Sequence, residues 1–462
     1  MIDVTRVVSV DTLRGQLTMD GETQKQGSLL RILGLAFGIA AVMGGMVGQG
    51  ILRTPGIVAG AAHSPQLIVA LWLIGAALVA VSAFAYVELG VAIPCAGGPY
   101  DFIRRAFGEL SGIVAGWAGL LAGVSSLAFT ATVVGEFLHR LGVLSTISVP
   151  VLAVALLLVL GALNWTGTRI AGDSQIVFSG LKGIALMALI LLLFSRPGSP
   201  QPSTGQATAA VGLTGLAVGM RVIMSTYNGW QGTVFYGEEL AQPERTLPRS
   251  MAIGIIGVAA LYLLVNLALL HVLSPLQMAN SNLPAADAAK AAIGNIGELG
   301  LTAFGVLSVV AITNLNVMRY SRLPFAMARE GHLPARLSYV AKSGTPGAAL
   351  LTTIVLAAAF AATGTFETII AMNVALVQAL VVAVNIAAVR LRHKEPELKR
   401  SFRISLYPLP VIIAVVVNLA LLAALIYEDP LHSLEGFVLL AIIGTGYAVV
   451  GSGRRDATAK AP

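Results

Sequence analysis

Uncharged apolar runs recur along this chain, each about as long as a helix that crosses a bilayer, and they leave few folds open. A hydrocarbon core of about 30 Å needs ~20 apolar residues in helical form. Twelve such spans are expected, at 31–60, 66–93, 108–138, 147–166, 172–195, 211–239, 250–273, 298–329, 347–363, 367–390, 407–427 and 434–451. Prolines and glycines punctuate the intervals, among them Pro65, Gly97-Gly98-Pro99, Pro197, Pro243, Pro346 and Pro430. Charged residues make up only 11% of the 462 residues and hydrophobic ones 56%, whereas soluble domains carry about 25% charge. The short alternating strands of a barrel are not seen. The expected class is an all-α polytopic membrane protein.

The basic residues give an orientation. With both termini on one side, that side collects Arg6, Arg14, Lys25, Arg31, Arg104, Arg105, Arg245, Arg249, Arg319, Arg322, Arg329, Arg390, Arg392, Arg400 and Arg454, while the other keeps Arg140, Arg196 and Lys290. The positive-inside rule then makes both termini cytoplasmic, in a plasma or inner membrane. The formal net charge of +7 is accounted for by this asymmetry, so no nucleic-acid partner is expected. Residues 1–28, with Asp3, Asp11, Asp20 and Glu22, read as a solvated tail and not as a signal peptide. Cys95 is the only cysteine, which forbids an internal disulfide and makes a disulfide-linked partner unexpected.

Two spans are interrupted. The first carries Met43-Gly44-Gly45-Met46-Val47-Gly48-Gln49-Gly50-Ile51-Leu52-Arg53-Thr54-Pro55 at mid-membrane depth. Glycine in a helix interior costs ~1 kcal/mol relative to alanine, and unpaired backbone groups in lipid cost more. Such a segment is either a closely packed small-residue helix face or a broken helix whose freed groups bind something. The sixth span repeats the pattern with Ser225-Thr226-Tyr227-Asn228-Gly229-Trp230-Gln231-Gly232. Breaks at corresponding places in two five-span halves point to an inverted-repeat transporter. The expected organisation is a tail (1–28), a first repeat (29–195), a linker (196–210), a second repeat (211–392), two further helices (393–451) and a second tail (452–462).

These residues also carry a family resemblance. Met46-Val47-Gly48-Gln49-Gly50-Ile51-Leu52 resembles the first-helix motif of the amino acid–polyamine–organocation (APC) superfamily. Tyr227-Asn228-Gly229-Trp230 followed by Glu238-Glu239-Leu240-Ala241-Gln242-Pro243 resembles the sixth-helix motif of its L-type amino acid transporter branch and bacterial relatives. Pro94-Cys95-Ala96-Gly97-Gly98-Pro99-Tyr100 and Ser321-Arg322-Leu323-Pro324-Phe325-Ala326-Met327-Ala328-Arg329 are similar to its second-to-third-helix loop and eighth-helix end. The resemblance implies a LeuT-type 5+5 inverted repeat with two C-terminal helices, and secondary active transport of amino acids.

An amino-acid zwitterion needs an anion site and a cation site side by side. A half-helix starting near Gly50 would turn N–H groups and its positive dipole end toward a carboxylate. Half-helices ending near Val47 and Tyr227 would leave carbonyls free for the ammonium. The substrate site is therefore expected at Val47, Gly48, Gln49, Gly50, Ser225, Tyr227, Asn228, Gly229 and Trp230, with Ser125 and Ser126 on the third span and Phe129 a packing residue. The motif usually has a small residue where Gln49 stands, and relatives often keep an aromatic gate where Ser225 stands. Coupling is assigned to Lys182 with Gly44, Thr313 and Asn314. Lys182 is too deep to reach water and is expected to bond carbonyls at the end of the first half-helix, where the resemblance also points. Arg53 and Arg221 would line an outer vestibule with Glu298 or Glu367, while Glu88 and Glu136 read as interior hydrogen-bond partners.

The function expected is transport of neutral amino acids, by exchange or proton-coupled symport. The alternatives are a polyamine or cationic amino acid carrier, and a sensor or channel on the same fold; neither break contains an acid to favour a cation. No metalloprotease helix, serine elbow or phosphate-binding glycine loop is found, and the histidines have no ligand spacing. Enzyme activity, cofactors and ATP are therefore not expected.

Overall fold

The computed structural model describes residues 28–48, 50–198, 212–363 and 366–459, with the backbone alone at 213–214, 366–373 and 449–459. Among them the chain is helical throughout, apart from one isolated parallel bridge between Leu33 and Leu240.

Among the described residues, eight stretches are long and apolar enough to cross a membrane. They are α3 (Pro65–Ala92), α5 (Glu109–Arg140), α7 (Thr168–Phe194), α9 (Pro243–Val272), α12 (Asn295–Tyr320) continued by α13 (Arg322–Arg329), most of α15 (Phe366–Lys394), α16 (Leu409–Glu428) and the first part of α17 (Pro430–Ala459). A ninth is the pair α1 (Leu35–Met46) and α2 (Gly50–Ala62), bent by 48° at the first glycine-rich break. Two apolar helices of 17 residues, α6 (Val149–Trp165) and α14 (Gly347–Thr363), sit at the short end of the bilayer-spanning range. The protein is thus an integral, multi-pass membrane protein. Its lipid-facing surfaces are visible in the spacing of exposed apolar residues. On α7, Val177, Ile184 and Leu191 are 58%, 69% and 64% exposed and recur every seven residues, about two helical turns.

The sixth span breaks more completely than the first. After α8 (Leu213–Thr226) the chain makes a turn with Gly229 at φ +115°, then a three-ten helix from Trp230 to Tyr236, and reaches α9 without regaining an α-helix. The left-handed φ explains the glycine, since a side chain there would be strained. One amphipathic helix was not foreseen, α4 (Pro99–Phe107), which carries Arg104 and Arg105 in its last turn, whereas α13 continues the eighth span to Arg329 as expected. The short helices α10 (Pro275–Ala279) and α11 (Pro284–Ile293) fold onto α2, close enough that a Cβ at Gly56 would lie 2.7 Å from the Met278 carbonyl oxygen.

Candidate functional site

The two breaks meet in the middle of the bundle. A Cβ added at Gly229 would stand 2.3 Å from the Gly45 carbonyl oxygen, and one at Gly45 would stand 2.8 Å from the Gly229 carbonyl oxygen. Only glycine on both sides permits this approach. Beside the contact lies a cavity of about 260 Å³, lined by Gly45, Asn228 and Gly229 from the breaks, Ser126 and Phe129 from α5, and Asn316 and Arg319 from α12. Tyr86, Gln231 and Phe235 also line it, with Tyr320 and an apolar side that includes Ile312, Val377 and Leu380. A smaller pocket of about 60 Å³ shares Asn228 and Gln231 and adds Ser225 and Trp230.

The carbonyls at the end of α1 are engaged, one by Lys182 as expected and two more by Tyr262 and Ser308, where free oxygens were expected. Lys182 donates from Nζ to the Gly44 oxygen at 2.8 Å, the Tyr262 hydroxyl to the Met46 oxygen at 2.7 Å, and Ser308 Oγ to the Val47 oxygen at 3.1 Å. Tyr262 also reaches the Thr226 oxygen, at 3.3 Å, so one hydroxyl bridges the last carbonyls of both broken helices. The physical reason is general: a buried carbonyl without a donor costs ~1–3 kcal/mol, so nearby donors fill the gap. Thr54 and Thr226 share a 2.6 Å hydrogen bond that ties the start of α2 to the end of α8.

Polar residues of α6, α7 and α12 brace the first half-helix from behind. Asn164 donates to Asn314 Oδ1 (3.0 Å), Asn314 donates to Gln175 Oε1 (3.1 Å), Gln175 donates to Ser179 Oγ (3.2 Å), and Ser179 donates to the Ala40 oxygen (2.8 Å). Asn314 is thus in the wall behind α1, linked to it through α7. Gly44 admits this chain, because a Cβ there would lie 2.3 Å from Ser179 Oγ.

The remaining candidates divide. Ser126 Oγ accepts from Asn316 Nδ2 at 3.2 Å and faces the cavity. Ser125 and Thr313 turn their hydroxyls to Leu121 and Val309 of their own helices. Tyr227 is 1% exposed and packs on Trp72 and Tyr262, with its hydroxyl on the Trp72 oxygen (3.4 Å). Trp230 is buried with its ring 4.9 Å from that of Tyr86, centre to centre. Gly48 and Gly50 lie against Ile312 and Thr226. Gln49 lies outside the described residues.

Of the other charges, Glu88 is where it was expected and Glu136 is not. Arg221 pairs with Glu428 and lines the smaller pocket, while Glu298 pairs with Lys290. Arg53 is exposed, and the side chain of Glu367 lies outside the described residues. Glu88 is fully buried and pairs with Arg392 and Arg400, whereas Glu136 is exposed. Cys95 is buried and free.

Sequence reasoning missed Tyr262, Ser308, Asn316 and Arg319. Each is an isolated polar residue in a span; only Arg319, an ionisable group near a span end, gave a signal that could have been followed. Among the described residues no cluster of His, Cys, Asp and Glu could hold a metal ion.

Comparison with known proteins gives the family. Residues 33–448 match the family described as amino acid permease. The serine/threonine exchanger SteT of Bacillus subtilis (strain 168) is 25% identical over 410 residues, covering 88% of this chain and 93% of the relative. The Asc-type amino acid transporter 1 of Mus musculus is 29% identical over 400 residues, or 82% of this chain and 74% of the relative. The large neutral amino acids transporter small subunit 2 of Rattus norvegicus is 29% identical over 400 residues, or 82% and 73%. With the family matched over most of its length, this chain is a member of the amino acid permeases of the APC superfamily, a transporter and not an enzyme.

Proposed function

We propose that the chain exchanges small amino acids across the membrane by alternating access, binding each as a zwitterion where the two broken helices meet. The observation that carries this reading is the contact of Gly45 with Gly229 beside a polar cavity. The amide end of α2 suits the carboxylate. With the α1 carbonyls engaged by Lys182, Tyr262 and Ser308, the ammonium goes to the oxygens of Ser126, Asn228 and Asn316 at the cavity wall. Val47, Gly48, Gly50, Ser225 and Trp230 frame the site, and the pocket behind Asn228 takes short side chains. The names of the relatives, a serine/threonine exchanger, an amino acid transporter and a transporter of large neutral amino acids, favour an amino-acid substrate, the first of them a small one.

The architecture that goes with this reading is a LeuT-type 5+5 inverted repeat of twelve spans. It counts α1 with α2 and α8 with its three-ten helix as broken spans, and the two 17-residue helices as crossing. The repeats occupy 29–195 and 211–392, joined by 196–210. Two accessory helices occupy 393–451, and the tails 1–28 and 452–462 are cytoplasmic.

Uptake into proteoliposomes tests the reading. Radiolabelled serine, alanine and leucine should enter faster when the vesicles hold unlabelled amino acid and should not require a pH gradient. Uptake that needs an inward proton gradient and ignores internal substrate would replace exchange with symport. No uptake of any amino acid under either condition would end the transport reading.

A further inference from the structure

Two arginines stand three residues apart where α12 passes into α13, and their surroundings differ. Arg322 is 2% exposed and directs Nε and Nη2 to the two carboxylate oxygens of Glu239, at 3.0 and 2.9 Å. Arg319 has no carboxylate within ion-pairing distance among the described residues. Its guanidinium lies 4.1 Å from the centre of the Tyr320 ring and 5.8 Å from that of Phe235. Nη2 donates to the Tyr320 hydroxyl, and Nε is buried without a hydrogen-bond partner.

Arg319 lines the 260 Å³ cavity, and no acidic residue lines it with Arg319 among the described residues. The C-terminal end of α12 favours a cation by its dipole, which explains the sign of the charge but not the missing acid. Aromatic faces return part of the hydration a guanidinium loses; an anion would return more. The distance also fits an amino acid. Gly232, whose added Cβ would lie 3.0 Å from Arg319 Nη1, stands one three-ten turn beyond Gly229 in the break, or ~6 Å at about 2 Å per residue.

We propose that Arg319 is a carboxylate-binding station on the transport path. It takes the carboxylate of an amino acid entering from the Arg319 end of the cavity before the amides of the break do. The station rests on the amino-acid transport reading and adds to it a second anion position. From the opposite face a substrate meets the break first, so Arg319 lowers the apparent KM at one face only.

The test is exchange in proteoliposomes of defined orientation, with serine offered at each face in turn across a salt series. Losing one charge-assisted contact to a carboxylate corresponds to roughly a tenfold effect or more. Arg319→Gln should raise KM about tenfold at the Arg319 face and leave KM at the opposite face unchanged, which also shows that the variant is folded. Arg319→Lys should recover most of the loss. In the wild-type chain, KM at the Arg319 face should rise with ionic strength more steeply than at the other face. Equal KM changes at both faces, no change at either, or equal salt dependence of the wild type at both faces would overturn the station. Should Arg319→Gln fail to fold, the wild-type salt series decides alone. Exchange by the wild type with an unmoved Arg319→Gln removes the station only, whereas no exchange by the wild type removes the transport reading and the station with it.

Discussion

Tyr262 and Lys182 hold the first break open, and each does so with one polar atom. The Tyr262 hydroxyl is shared between the Met46 and Thr226 oxygens. Tyr262→Phe would leave both carbonyls short of a donor in a fully buried setting, at a cost of ~1–3 kcal/mol. A lower unfolding temperature in detergent and an exchange rate reduced about tenfold are expected, measured by thermal denaturation and vesicle uptake. Lys182 is buried on the face of α7 opposite its lipid-exposed stripe, and its ammonium meets the Gly44 oxygen. Lys182→Ala should reduce exchange by at least an order of magnitude while the purified protein remains monodisperse; unchanged uptake across pH would deny it a part in coupling. Outside the spans, Glu395 receives Arg105 through paired hydrogen bonds, which hold its carboxyl below the usual range. A carboxylate with a depressed value adds stability above its unfolded pKa of about 4.3, and that stability is lost as pH falls through the folded value. Glu395→Gln should therefore flatten the acid side of the stability–pH profile and leave neutral-pH exchange intact.

At the scale of elements, the broken sixth span is fixed at its far end by a buried ion pair. Glu239 is fully buried, receives Arg322 through two hydrogen bonds, and passes its backbone oxygen to the Leu33 amide at 2.9 Å. The chain entering α1 is thereby tied to the chain leaving the three-ten helix. Removing one partner leaves an uncompensated buried charge, at a cost of about 3–5 kcal/mol. Arg322→Met should destabilise the protein strongly, and Arg322→Met with Glu239→Leu should recover much of the loss in the same melting assay. The motif Glu238-Glu239 was legible in the sequence as part of a resemblance. Its pairing with Arg322, 83 residues away, was not, because a charge in an apolar run does not name its partner.

For the whole molecule, the cavity runs from the break at Gly45 and Gly229 to Arg319 and Tyr320 at the C-terminal end of α12 and Pro99 at the start of α4. Cys95 is buried, so the natural chain is a quiet background for thiol labelling. A cysteine placed at Asn316 should react with a water-soluble maleimide from that end and be protected by transported amino acid. Labelling only from the opposite face would place the opening of the cavity on the wrong side.

The sequence by itself determined the membrane class, the approximate spans and the location of both breaks, because helix length, apolar composition and glycine clusters are local properties of the chain. Only the tertiary structure decided that Gly45 meets Gly229, that Tyr262 and Ser308 occupy the freed carbonyls, and that Tyr227 faces the core while Asn316 and Arg319 face the cavity. Those outcomes depend on which face of each helix meets another. In lipid an exposed leucine is as well placed as a buried one, so hydrophobic periodicity says little about where a polar side chain will point.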